Sequence, residues 1–221
     1  MNPRPLLTLT AILLAIEAAV SVWTLMLVDP DMQVPVHWGL DGRPDGYASA
    51  AAAMLFTPAI TLVMGLVLAF IPRFDPRRTN LERSATAYRW IGGSVLVLLG
   101  AVHVLVAATA QGAPIDMASY LGAAIGVMLI VMGNFLGKTR PSWFLGIRTP
   151  WTLSSERSWQ RTHRLGGYLF VAWGAAAAAS AILLPAQAAF WVLLGGGGAV
   201  VLTVVAYSYV VWRADADSRI L

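Results

Sequence analysis

The chain reads as an all-α integral membrane bundle of six transmembrane helices, with both termini in the cytoplasm. Three observations predict this. The apolar residues fall into six blocks of about 20, the length that crosses a hydrocarbon core near 30 Å thick. Charged residues make up 12% of the chain, about half the roughly 25% usual in soluble domains. Of the 15 lysines and arginines, all but Arg43 lie before the first block, in alternate connections or in the tail, as the positive-inside rule requires. The same placement explains the net charge of +4 without invoking nucleic acid, because the basic residues flank apolar blocks. With no cysteine, disulfides, cysteine-ligated zinc and thiol catalysis are excluded.

The first span is expected at residues 5–28. Its apolar run exceeds the 7–15 residues of a signal-peptide core and leads into Asp29-Pro30 rather than a small-residue cleavage site, so it reads as a retained span. The connection at 29–49 then faces outside. Asp41-Gly42 and Pro44-Asp45-Gly46 are turn formers that fold this loop back and bring His37 toward Asp41 and Asp45. His37, Trp38, Asp41, Asp45 and Tyr47 are the candidate ligand-binding residues. The carboxylates, with Asp29 and Asp31, suit a basic peptide, and the two rings suit its apolar side chains. A loop that merely caps the bundle is the plainer alternative. A histidine with two carboxylates also suits a divalent metal, but this spacing matches no recognised site, and the expectation is no metal.

The second span covers 50–71 and leads to an inner connection with Arg73, Arg77, Arg78 and Arg83; the third covers 89–110 and the fourth 117–137. Glu17 lies midway along the first span and His103 in the outer half of the third. Ionisable groups at such depth are costly and usually partnered. Both spans run outward and place the two residues within about two turns of each other, so they are expected to pair. The alternative is a protonated Glu17 bonded to a serine or threonine.

The inner strip that follows contains Pro141, Gly146 and Pro150 and should be irregular up to Leu153. Ser154 then reads as the N-cap of a short helix, with Glu156 in its first turn. On that helix Arg157, Arg161 and Arg164 share one face, suited to anionic headgroups, and Glu156, Trp159 and His163 share roughly the opposite one. Arg148, in the irregular part, suits bracing of carbonyls or a carboxylate. Trp143, Trp151 and Trp159 are expected in an interfacial aromatic belt. The last two spans, 166–184 and 189–212, contain Ala175–Ala179 and Gly195–Gly198, small residues that let membrane helices approach closely. The tail adds Arg213 and Arg219. The chain thus divides into residues 1–110, three spans with the outer loop, and residues 111–221, three spans with the strip at 133–167.

The strip GNFLGKTRPSWFLGIRTPWTLSSERSWQRTHRLGG resembles the signature of the SdpI family of bacterial membrane proteins. Gly133-Asn134, Lys138, the run Gly146-Ile147-Arg148-Thr149-Pro150-Trp151-Thr152-Leu153, Trp159 and Thr162-His163-Arg164 carry the resemblance. Ser142 departs from it, standing where the family usually has asparagine. The outer loop VPVHWGLDGRPDGYAS resembles the short motif of a domain of unknown function that often precedes the SdpI region, through Pro35, His37, Trp38, Gly42, Asp45 and Tyr47. Gly39 departs from the asparagine often found after the tryptophan. The resemblance implies a multi-pass protein of the bacterial inner membrane that gives immunity to a secreted peptide toxin and acts as a signal receptor. Its implied partners are the lipid bilayer, a peptide toxin outside and a cytoplasmic repressor inside.

A different class is a small proton-coupled transporter or channel using Glu17, with two three-span halves of opposite topology. An enzyme would need a nucleophile or metal constellation. Only His37 with its aspartates and Glu156 with His163 come near one, and neither forms a recognised motif. The expectation is a protein that is not an enzyme and carries no cofactor.

Overall fold

Each apolar block forms a helix in the computed structural model, which describes residues 1–215; Arg219 lies outside the described residues. The six long helices are α1 (Arg4–Leu27), α2 (Ala50–Phe70), α4 (Ala85–Ala110), α5 (Met117–Leu136), α7 (Glu156–Leu183) and α8 (Ala186–Arg213). All six are long and apolar enough to cross a membrane. Two short helices, α3 (Arg78–Arg83) and α6 (Pro150–Ser154), and a 3-10 turn (Ile71–Phe74) lie in the connections. Five of the six long helices begin and end within four residues of their expected positions.

The exception is α7. The short polar helix expected after Ser154 is not a separate element, because it runs without a break into the fifth span and makes one helix of 28 residues. Its N-cap is Ser155, whose Oγ accepts the Ser158 N–H at 2.9 Å, and Ser154 instead closes α6. Gly166 and Gly167, at the expected boundary, stay helical and lie close against side chains and backbone of neighbouring elements.

The outer loop is more ordered than its turn residues imply. Strands β1 (Gln33–Trp38) and β2 (Pro44–Ser49) form an antiparallel hairpin, with Val34 opposite Ala48 and Pro35 opposite Tyr47. The register shifts around His37, so that Gly46 faces it; a Cβ on Gly46 would lie 2.9 Å from the His37 Cβ. Val34 anchors the hairpin among Ala50, Ala53, Met54, Val106 and Ala110.

Bilayer lipid gives apolar side chains no reason to prefer protein, so close packing must hold the helices together. Helices α5 and α7 cross backbone to backbone. A Cβ on Gly126 would lie 2.6 Å from the Gly174 carbonyl, and one on Gly133 would lie 2.6 Å from the Gly167 carbonyl. The glycine run of α8 is used unequally: Gly196 and Gly197 receive the Trp173 indole, whose Nε1 donates to the Leu193 carbonyl at 2.9 Å, whereas Gly195 and Gly198 face open space.

The expected Glu17–His103 side-chain pair does not form. Thr61 Oγ1 donates to Glu17 Oε1 at 2.8 Å, while His103 Nε2 lies 3.1 Å from both the Glu17 backbone carbonyl and Ser21 Oγ. Helix α2 packs against both α1 and α4 and supplies Thr61 as the carboxyl partner, which leaves the imidazole facing the backbone. Glu17 Oε2 and His103 Nδ1 are buried without a hydrogen-bond partner among the described residues.

Candidate functional site

The polar residues gather at opposite ends of the bundle, the hairpin at one and the strip at the other. At the strip end, Gly146 has φ +108°, which glycine alone adopts readily, and the space beside it is taken by the Trp159 and His163 rings. These two rings stack on one turn of α7, 3.9 Å apart at 18°. The Ile147 N–H donates to His163 Nε2 at 2.8 Å, so Nδ1 carries the ring proton and donates to the Trp159 carbonyl, also at 2.8 Å. Trp159 Nε1 donates to the Thr139 carbonyl at 3.0 Å. Both rings are fully buried. Trp159 therefore belongs to no interfacial belt: its single N–H finds a carbonyl inside the strip, which removes its preference for the interface.

Thr149 and Thr152 form a capping box at the start of α6. Thr149 Oγ1 also lies 3.0 Å from Ser208 Oγ, and Ser158 Oγ donates to the Ser208 carbonyl, so α6, α7 and α8 meet at one serine. Pro150 opens α6, and Trp151 packs its ring on Tyr209. Ser142, the departure from the family pattern, is fully buried and donates to the Leu145 carbonyl.

Other expected site residues stand apart. Arg148 is exposed and its Nη1 donates to the Trp143 carbonyl, a brace across the turn. Asn134 is exposed and bonds within its own helix, and Lys138 lies over the Phe135 ring. Arg157, Arg161 and Arg164 do share an exposed face. Glu156 is not with Trp159 and His163; it is exposed at the helix start, 3.7 Å from Arg140.

Sequence reasoning missed the clamp that holds the strip. Asp75, buried beyond the 3-10 turn, accepts the N–H groups of Arg77, Trp143 and Phe144 at 2.7, 3.0 and 3.3 Å. Asn80 Nδ2 donates to the Pro141 carbonyl, and Arg77 Nη2 to the Leu153 carbonyl. The available signal was Asp75-Pro76, an acid standing alone just before a run of arginines. Asp75→Ala strands three donors at a cost of about 1–3 kcal/mol. Trypsin should then cut after Lys138 and Arg148 roughly tenfold faster, the equivalent of ~1.4 kcal/mol. Unchanged cleavage rates would remove Asp75 from this role.

At the hairpin end, His37 Nδ1 lies 2.5 Å from Asp45 Oδ1, and the Asp41 and Asp45 carboxylates converge on Gly39. Gly42, at φ +78°, turns the chain against Ala118 and Ala186 at the starts of α5 and α8. The tip thereby roofs an apolar cavity of about 240 Å³, lined by Trp38, Leu40, Leu121, Ala181, Ala189 and Phe190 among others. Tyr47 is exposed on β2, away from the cavity lining. Among the described residues no group of three His, Asp or Glu side chains is placed to hold a metal.

Six spans, a hairpin at one end and a bonded strip at the other define a multi-pass membrane protein built around two polar ends. Residues 138–208 match the SdpI/YfhL protein family, and residues 12–62 match a domain of unknown function, DUF1648. The chain is thus similar to the SdpI/YfhL family over residues 138–208 and to DUF1648 over residues 12–62, in the order its motifs imply. It is 20% identical over 142 residues to Immunity protein SdpI of Bacillus subtilis (strain 168). That match covers 64% of this chain and 66% of the relative, just under two thirds of its length. No solved structure matches the chain.

Proposed function

We propose that this protein guards a bacterial membrane against a secreted peptide, meeting it at the hairpin and passing the event to a cytoplasmic regulator through the strip. The observation that carries this reading is the apolar cavity under the hairpin tip with carboxylates above it. Asp29, Asp31, Asp41, Asp45 and Asp116 are exposed at that end, with Arg43 as the lone arginine among them. At about 240 Å³ the cavity is smaller than the ~300–1,000 Å³ of sites that enclose a whole small molecule. It suits one inserted part of a larger ligand, and the carboxylates suit a cationic one. The placing of the hairpin outside rests on the basic residues gathered at the opposite end. The exposed arginine face of α7 gives an acidic surface on a regulator something to dock on.

The test is survival of a toxin-sensitive bacterial host challenged with a panel of secreted cationic peptide toxins. Cells making the intact protein should survive at least one of them. Asp41→Asn/Asp45→Asn, which weakens the electrostatic approach, should reduce protection, and Ala189→Phe, which fills the cavity, should abolish it, at equal membrane abundance. Failure of the intact protein to protect against any of the panel would overturn the reading.

A further inference from the structure

Helices α1, α4 and α5 leave a long groove on the outer surface of the bundle. Its floor is small or short side chains of α4, Gly93, Val97, Gly100 and Ala101, with Leu9 and Leu13 of α1 on one wall and Ala124 and Val131 of α5 on the other. Two apolar hollows of about 530 and 470 Å³ share Val97, Ala101 and Ala124, so they adjoin end to end along α4. From Arg89 to Val104 the groove follows α4 for roughly 22 Å at 1.5 Å per residue. One leaflet of hydrocarbon is about 15 Å deep, half of a ~30 Å core.

The two ends of the groove differ. At the strip end Arg89 lines the mouth, beside Trp90, which stacks on Phe135 at 5.4 Å and 7°. The Lys138 ammonium lies 4.6 Å from the centroid of the same Phe135 ring. Arg89 and Lys138 are both exposed, and neither has a carboxylate within salt-bridge distance among the described residues. Val97, Val104 and Val127 along the groove are about half exposed, as side chains facing lipid would be.

We propose that this groove is a binding site for one anionic phospholipid, with an acyl chain along α4 and the headgroup phosphate between Arg89 and Lys138. The chemistry follows from the geometry: an apolar groove one leaflet or more in length, with Arg89 lining one mouth and Lys138 on the far side of the Trp90–Phe135 stack beside it, neither cation in an ion pair among the described residues. Arginine and lysine near a membrane surface favour anionic over zwitterionic lipid, and each contributes to the preference. An interfacial tryptophan fixes the depth of that mouth at the headgroup level. Glu17, whose Oε1 is held by Thr61, lies on the groove wall deeper in, where the acyl chain would cover it.

The experiment is native mass spectrometry of the full chain, released from vesicles of equal phosphatidylglycerol and phosphatidylcholine. The intact protein should retain phosphatidylglycerol over phosphatidylcholine by roughly tenfold or more, the scale of two cationic contacts. Arg89→Gln/Lys138→Gln should bring the ratio near unity, and the charge-keeping Arg89→Lys should preserve it. Arg157→Gln/Arg161→Gln, which removes the same charge from the strip face, should leave the ratio high. Ala124→Phe, placed in the groove, should reduce retention of both lipids while circular dichroism remains helical. Equal retention of the two lipids by the intact protein, or a ratio lost equally in the Arg157/Arg161 variant, would mean annular lipid and general surface charge only, and would overturn the proposal.

Discussion

Gly146→Ala should loosen the strip while leaving the six spans helical. Two costs add at this residue. A side chain at φ +108° is strained by about 1–3 kcal/mol. The new methyl would also lie 2.9 Å from the Trp159 ring and press on His163 Nε2, an overpacking worth another ~1–3 kcal/mol. Displacing His163 breaks its acceptor role toward Ile147 as well. The control is Gly112→Ala. Gly112 also has positive φ, +82°, but nothing lies within 4 Å of its missing Cβ, so only the backbone cost applies. Thermal unfolding in detergent, followed by tryptophan fluorescence, should show a clearly larger fall for Gly146→Ala. Equal falls would mean that the Trp159–His163 packing contributes nothing.

Gly133→Leu should separate α5 from α7. The obstacle is the Gly167 carbonyl at 2.6 Å and the Val171 N–H at 2.8 Å, and neither can rotate away as a side chain would. Overpacking in a close-packed interior costs typically ~1–3 kcal/mol and more when backbone must move. Small residues are what permit this approach in a bilayer, where burial of apolar surface gives no separate driving force. Gly198→Leu places the same side chain in α8 with nothing within 4 Å, and should be near neutral. Unfolding by sodium dodecyl sulfate should occur at a distinctly lower mole fraction for Gly133→Leu. Matching midpoints for the two variants would show that the α5–α7 crossing is not held by close backbone contact.

The sequence by itself determined the membrane class, the number of spans and the stretch that resembles the SdpI family. It did so because length, hydropathy and the order of motif residues are written along one dimension. Gly146 through Leu153 could be recognised as a unit before any coordinate, but the segment was expected to be irregular, and the short helix α6 with its Thr149–Thr152 capping box emerges only in the structure. The turn residues at Asp41-Gly42 and Pro44-Asp45-Gly46 foretold a folded-back loop, though not the strand pairing that shifts register around His37.

Only the tertiary structure decided which side of each helix faces protein. In a membrane, lipid-facing and buried residues are equally apolar, so periodicity does not separate them. That is why Trp159 could not be told from an interfacial tryptophan until its Nε1 met the Thr139 carbonyl. It is also why Glu17 was matched to His103 by depth when a third helix supplied Thr61. The cavity under the hairpin and the clamp at Asp75 join residues dozens of positions apart, and nothing in local sequence pairs them. Contacts between distant segments depend on where small residues let backbones meet, and that is a property of the packed bundle.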